Sequence, residues 1–349
     1  MKNISEIDSN FKVGTQINRD DITFYNCRNE KFDVYGIFHE GECFHRLPEA
    51  VAESVSDKVQ ILGKNTAGGR VRFKTDSKCI AISAIYYEVY KMPHFAFTGS
   101  VGFDMYADNF YVKTFIPPAN VDLDGYESSF DFDDKKMRDI TINFPLYSSV
   151  KEVYIGLDSD AVIEKSPSYV NEKPVVFYGS SITQGGCASR PGTCYEAVLS
   201  RRFNCDYVNL GFSGNAKAEV EIAQYIANLD MSLFVFDYDH NAPTVEHLLN
   251  THERMFGIIR EKQPDLPVIM MSRPKFALTD IETKCRNIIE TTFKNAVANG
   301  DKNVYFIDGA KLTEVCGNEG TVDGTHPTDF GFVSMAKAVG DVIEKYKLI

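Results

Sequence analysis

The chain has 349 residues, 44% of them hydrophobic and 25% charged, which excludes a disordered or fibrous protein and exceeds the length one core usually fills. Its 37 basic and 49 acidic side chains give a formal charge of -12, and no Lys/Arg cluster reverses that sign locally, so nucleic acid is excluded as a partner. No stretch reaches membrane-spanning length and Met1 to Asp20 lacks the apolar core of a secretory leader, so a cytoplasmic protein without a membrane partner is expected.

From Asn10 to about Ile163 the chain predicts short strands. Val71 to Thr75 and Arg138 to Phe144 alternate apolar and polar residues, and Cys79 to Tyr90 is rich in β-branched and aromatic ones. Gly68-Gly69, Pro117-Pro118 and Asp122 to Gly125 supply turns, and a short helix is expected around Pro48 to Ser56. Many short strands with one apolar face must pack sheet on sheet, so residues 1–165 read as an antiparallel sandwich.

After a polar link, Glu164 to Lys173, the period changes. Apolar runs at Val175 to Tyr178, Tyr207 to Leu210, Leu233 to Phe236, Val268 to Met271 and Val304 to Ile307 read as strands. Between and after them Ala216 to Leu229, Val245 to Lys262, Asp280 to Ala298 and Phe332 to Tyr346 carry apolar residues at helical spacing. Residues 166–349 therefore predict an α/β domain with a parallel sheet covered on both faces, and function at the carboxyl ends of its strands.

The first of these strands runs into Gly179-Ser180-Ser181-Ile182, which places Ser181 in a turn expected to lead into a helix. Backbone N–H groups converge there and would receive an oxyanion. Asp323-Gly324-Thr325-His326 puts a carboxylate three residues before an imidazole, the spacing for an Asp that fixes the ring tautomer while the other nitrogen takes a serine proton. Asp237 and His240 repeat this spacing, but Asp237 is expected within or just beyond the third strand, so His326 is preferred. Gly-x-Ser-x-Gly fails at both serine candidates, because Thr183 and Asn215 occupy the second glycine position, which argues against an α/β-hydrolase. The second strand leads to Gly211-Phe212-Ser213-Gly214 and the third to His240-Asn241-Ala242, where glycine allows close backbone approach and an Asn amide is an uncharged donor.

In this order Ser181, Gly214, Asn241 and the Asp323/His326 pair resemble the four blocks of the SGNH (GDSL) hydrolase family, although Gly179-Ser180-Ser181-Ile182 departs from Gly-Asp-Ser-Leu. Gly102-Phe103-Asp104-Met105-Tyr106 is similar to the Gly-x-Asp-Leu-Tyr motif of a two-domain subgroup, with Met105 in place of Leu. The resemblance implies a jelly-roll sandwich followed by a flavodoxin-like three-layer α/β/α domain. It implies a serine esterase with Ser181 as nucleophile, His326 as base, Asp323 as orienting carboxylate, and Ser181, Gly214 and Asn241 as oxyanion donors.

No cofactor or metal is required by that chemistry. The eight cysteines are scattered without Cys-x-x-Cys pairs, so neither a zinc site nor a disulfide framework is expected, and a bridge between the neighbouring Cys187 and Cys194 is disfavoured in the cytoplasm. Asp104 and Tyr106 are candidates either to reach substrate or to hold a loop. Arg273, after the fourth strand, is a candidate for the crevice or for the solvated surface. The two-domain layout points to acetyl esters of xylan- or mannan-type oligosaccharides, although the chain has no tryptophan to stack on sugars. An acyl-lipid hydrolase and an inactive carbohydrate-binding protein are the alternatives, and exposed sandwich edges would allow a homodimer.

Overall fold

The computed structural model describes residues 15–349, so the part of the expected strand region before residue 15 lies outside the described residues. Two large antiparallel sheets and a small two-stranded one, Phe38–Glu40 with Cys43–His45, form the first half. One has the order Ile22–Asn26, Ser149–Asp158, Cys79–Glu88, Tyr126–Asp131. The other has the order Ile163–Glu164, Arg70–Thr75, Arg138–Asn143, Phe103–Ala107, Phe110–Phe115, with Asp33–Tyr35 also paired to Arg70–Thr75. The period of two explains the packing. Ile140 opposes Phe73 and Ile142 opposes both Val71 and Met105, and these residues meet Ile80, Ile82, Val153 and Ile155 of the other sheet in one core. Each such side chain contributes about 1.5–3 kcal/mol on full burial.

The arginines on the polar face of the strand Arg70–Thr75 do not meet water, as simple alternation would have it. Arg70 and Arg72 are buried, with their guanidinium carbons 4.1 Å from the Tyr207 ring and 4.2 Å from the Tyr169 ring. Arg70 also pairs with Asp206 of the second half. Cationic faces stacked on aromatic rings replace the solvent that the sequence pattern alone would assign to them.

The expected helix near Pro48 spans Glu49–Val55, and a second helix that the apolar pattern did not reveal follows at Asp57–Gly63. Ser56, at φ -176°, ends the first and caps the second through its hydroxyl, which accepts from the Val59 N–H. Ala52 and Val59 of this pair, with Leu47, belong to the core of the second half, packed with Ile222 and Ala223. Phe95, Leu146 and Tyr147 of the first half join the core on the other face of the parallel sheet.

That sheet has five parallel strands in the order Cys205–Gly211, Asn171–Gly179, Leu233–Asp237, Val268–Met271, Val304–Ile307. Numbered along the chain this is 2-1-3-4-5, the flavodoxin-like order, with helices on both faces. Helices Val245–Lys262 and Asp280–Ala298 match the periodic segments, and the last runs from Asp329 to Tyr346. The helix expected from Ala216 to Leu229 is shorter, Val220–Ala227, and starts late because Ala218 holds a φ of +54°, outside helical geometry. A helix at Tyr195–Phe203 was not apparent from periodicity. The strand bearing Ser181 therefore does not run directly into a long helix. It ends in a single helical turn, closed by Gln184 N–H to Ser180 O at 3.0 Å and Gly186 N–H to Ser181 O at 2.8 Å, and the next long helix starts only at Tyr195.

Candidate active site

The carboxyl ends of the first three parallel strands and the loop before the last helix converge on Ser181. Its Oγ lies 2.9 Å from Nε2 of His326, and Nδ1 of that ring lies 2.7 Å from Oδ2 of Asp323. The other Asp323 oxygen accepts from the backbone N–H groups of Thr325 at 3.0 Å and His326 at 2.8 Å. These contacts close the Asp-x-x-His turn on itself and fix the carboxylate against the ring. Partial burial works to raise the Asp323 carboxyl, but the His326 N–H and ring and the Thr325 N–H outweigh it and bring it down to about 2. A carboxylate that stays ionised holds the proton on Nδ1 and leaves the Nε2 lone pair facing Ser181.

Around the serine, the backbone N–H groups of Ser181 and Gly214 have no acceptor among the described residues. Gly214 takes its positive φ of +69° in open space, so conformation rather than crowding favours glycine there. Asn241 spends one amide N–H on Phe212 O at 2.9 Å and has a second to offer. Gly186 is required by close approach, since a Cβ there would meet Ser181 O at 2.8 Å and the Tyr147 hydroxyl at 3.0 Å.

Each half of the chain matches a known family. The GDSL-like lipase/acylhydrolase family matches residues 172–344, and the GxDLY family, the N-terminus of SGNH-hydrolase-type esterases, matches residues 22–163. A solved GDSL-like lipase from Bacteroides ovatus is 30% identical over 93% of this chain and 97% of its own, with a TM-score of 0.82. The chain belongs to the GDSL-like lipase/acylhydrolase family. It is a carboxylic ester hydrolase of the SGNH type. The same fold is seen in the salicylyl-acyltransferase SsfX3 of a tetracycline biosynthetic pathway, 20% identical over 95% of this chain and 99% of that one, with a TM-score of 0.77. It is also seen in a family two carbohydrate esterase from Clostridium thermocellum in complex with cellohexaose, 14% identical over 94% of this chain and all (100%) of that one, with a TM-score of 0.59. No curated protein sequence matches the chain.

The remaining candidates of this esterase fall differently. Asp237 ends the third strand, fully buried, and neither of its oxygens nor Nε2 of His240 has a hydrogen-bond partner among the described residues, so the repeated spacing forms no pair. Burial pushes the Asp237 carboxyl well above its ordinary range, with the Asp239 charge adding to it, and pulls His240 down to about 4. Asp104, also fully buried, accepts from Asn143 Nδ2 at 2.8 Å, Arg190 Nη1 at 2.7 Å and the Gly192 N–H at 2.9 Å. The Tyr106 hydroxyl receives Arg190 and donates to Gly192 O. Both side chains thus brace the loop that follows the serine turn, Asp104 tying it to the strand residue Asn143, and neither bonds to Ser181 or His326. Arg273 is not a solvated surface group. It is largely buried and pairs with Asp239 at 3.0 Å and with Glu282 at 3.3 Å, and it also donates to Asp239 O, which ties down the turn that carries Asn241.

Cys187 and Cys194 are both free thiols. Cys194 donates to Pro191 O, whereas Cys187 faces the Asp-His pair, and burial, with the Asp323 charge added, pushes its thiol up to about 12. Three neighbours of Ser181 had no sequence signal. Tyr147, whose hydroxyl donates to Ser181 O at 3.2 Å, and His94, whose ring centre lies 5.7 Å from that of His326, come from sandwich loops, and Gln184 links the Ser213 N–H to Asn65. Only folding brings the two halves together, so local patterns could not reveal Tyr147 and His94, whereas Gln184 lies three residues after Ser181 and only its bonds to Asn65 and Ser213 depended on folding.

Proposed function

We propose that this esterase hydrolyses short acyl esters, acetyl groups on oligosaccharides in particular, through a Ser181–His326–Asp323 triad. The observation that carries the reading is the unbroken chain of hydrogen bonds from Ser181 Oγ to His326 Nε2 and from His326 Nδ1 to Asp323. As Oγ attacks the ester carbonyl, Nε2 takes its proton, and the negative charge on the carbonyl oxygen is received by the N–H groups of Ser181 and Gly214 and the second N–H of Asn241. The tetrahedral species collapses, and the alcohol leaves with the proton from Nε2. Water then attacks the acyl-serine, loses its proton to the same nitrogen, and releases the acid. The carbohydrate part of the reading draws support from the fold shared with the carbohydrate esterase bound to cellohexaose and from sandwich residues at the site, Tyr147 beside Ser181 and His94 beside His326.

The test is hydrolysis of p-nitrophenyl acetate, butyrate and octanoate, with acetate release from acetylated xylan and mannan oligosaccharides, by wild type and Ser181→Ala. Short esters cleaved, acetate released and both activities lost in Ser181→Ala is the expected result. Preference for octanoate would move the substrate to acyl lipids. Activity that survives in Ser181→Ala would refute the triad.

A further inference from the structure

We propose that His94, Cys187 and His326 form an inhibitory binding site for a zinc-class divalent cation at the active-site mouth. One ligand atom from each side chain, two imidazole nitrogens and a sulfur, lies within 4.8 Å of the others. Two nitrogens and a thiolate sulfur are the donors of borderline-soft ions such as Zn²⁺, whereas Mg²⁺ and Ca²⁺ need oxygen ligands. Tetrahedral zinc with bonds of about 2.0–2.3 Å sets its ligands roughly 3.3–3.6 Å apart. The cluster therefore has to contract by at most about an ångström. His94 can supply that movement, because it is exposed and its ring makes no hydrogen bond among the described residues.

The other two ligands are already held. Asp323 grips Nδ1 of His326, which leaves Nε2 for the ion in a carboxylate–histidine–metal arrangement. Cys187 sits at φ +78°, a left-handed conformation that disfavours a non-glycine residue by about 1–2 kcal/mol and is kept only where the surroundings impose it. On binding, the Cys187 thiol releases its proton to solvent as the sulfur–metal bond forms. Water or Ser181 Oγ, 2.9 Å from Nε2, takes the fourth position. The ion then occupies the lone pair that would accept the serine proton, so bound cation and ester hydrolysis exclude one another. This last step rests on His326 being the general base.

The experiment titrates zinc chloride into wild type, His94→Ala and Cys187→Ser by calorimetry, and measures zinc inhibition of p-nitrophenyl acetate hydrolysis relative to each variant's own zinc-free rate. One ion per chain is expected, with affinity and inhibition both weakened at least about tenfold in each variant and activity restored by a chelator. Cobalt(II) in place of zinc should give a thiolate charge-transfer band that Cys187→Ser abolishes. Absence of stoichiometric binding, or binding unchanged in both variants, overturns the site even if Ser181→Ala has lost all activity. Binding that both variants lose but that leaves wild-type hydrolysis unaffected overturns the inhibitory role while leaving the triad to the Ser181→Ala test.

Discussion

Asp323→Asn separates the structural and the chemical roles of the loop before the last helix. In the native site Oδ1 accepts the N–H groups of Thr325 and His326, at 3.0 and 2.8 Å, and Oδ2 faces Nδ1 of the ring at 2.7 Å. The amide oxygen of Asn can keep both backbone bonds, so the turn should hold its shape. Its NH₂ group must then face Nδ1, which makes that nitrogen the acceptor and puts the ring proton on Nε2, where it blocks transfer from Ser181. Loss of the correct tautomer in a serine triad costs roughly 10⁴ in kcat, or about 5.5 kcal/mol of transition-state stabilisation. The assay is steady-state hydrolysis of p-nitrophenyl acetate, alongside a thermal melt at neutral pH. We expect kcat to fall by about three to four orders of magnitude, with KM little changed. A loss of less than about tenfold in a folded variant would refute the assignment of Asp323 as the orienting group.

Asn241→Ala should lower kcat about 10²- to 10³-fold without unfolding the protein, and an unchanged kcat would remove Asn241 from the oxyanion site. Asp104→Ala leaves three donors around a fully buried position without their acceptor. It should cost about 3–5 kcal/mol, read as a lowered Tm together with reduced activity from a loosened Ser189–Cys194 loop, and an unaltered Tm would contradict the bracing role. Asp323 and Glu282 both lie at about 2, since hydrogen bonds outweigh the partial burial that works to raise them. Folded values below the ordinary carboxylate range of about 4 mean that their stabilisation is complete above it and is lost as pH falls towards about 2. Tm should therefore drop over that window, less steeply in Asp323→Asn, and identical slopes for the two proteins would count against the ionised Asp323.

Sequence alone determined much of this protein, because the signals were local. Periods of two and of three to four identify strands and helices wherever one face is apolar, and each of the five parallel strands contains one of the apolar-rich runs, the form taken by a sheet buried on both sides, although the first begins four residues earlier, at Asn171, and the second holds Asp206 and Asn209. Asp323 and His326 lie three residues apart, which makes their pairing possible within one turn, and Ser181 could be placed with them because strand ends in such a sheet share one edge. Tertiary structure decided what depends on distant contacts. The two Asp-x-x-His sequences differ only in where they fold, one pair bonded at the site mouth and the other, Asp237 and His240, buried without forming a pair. The Gly-x-Asp-Met-Tyr segment could not reveal that its aspartate braces Arg190 and Gly192, 86 and 88 residues away. His94 and Cys187 carry no pattern at all. They stand beside His326 because the sandwich packs its loops against the serine turn, and such a meeting is fixed by the packing of two cores rather than by any local propensity.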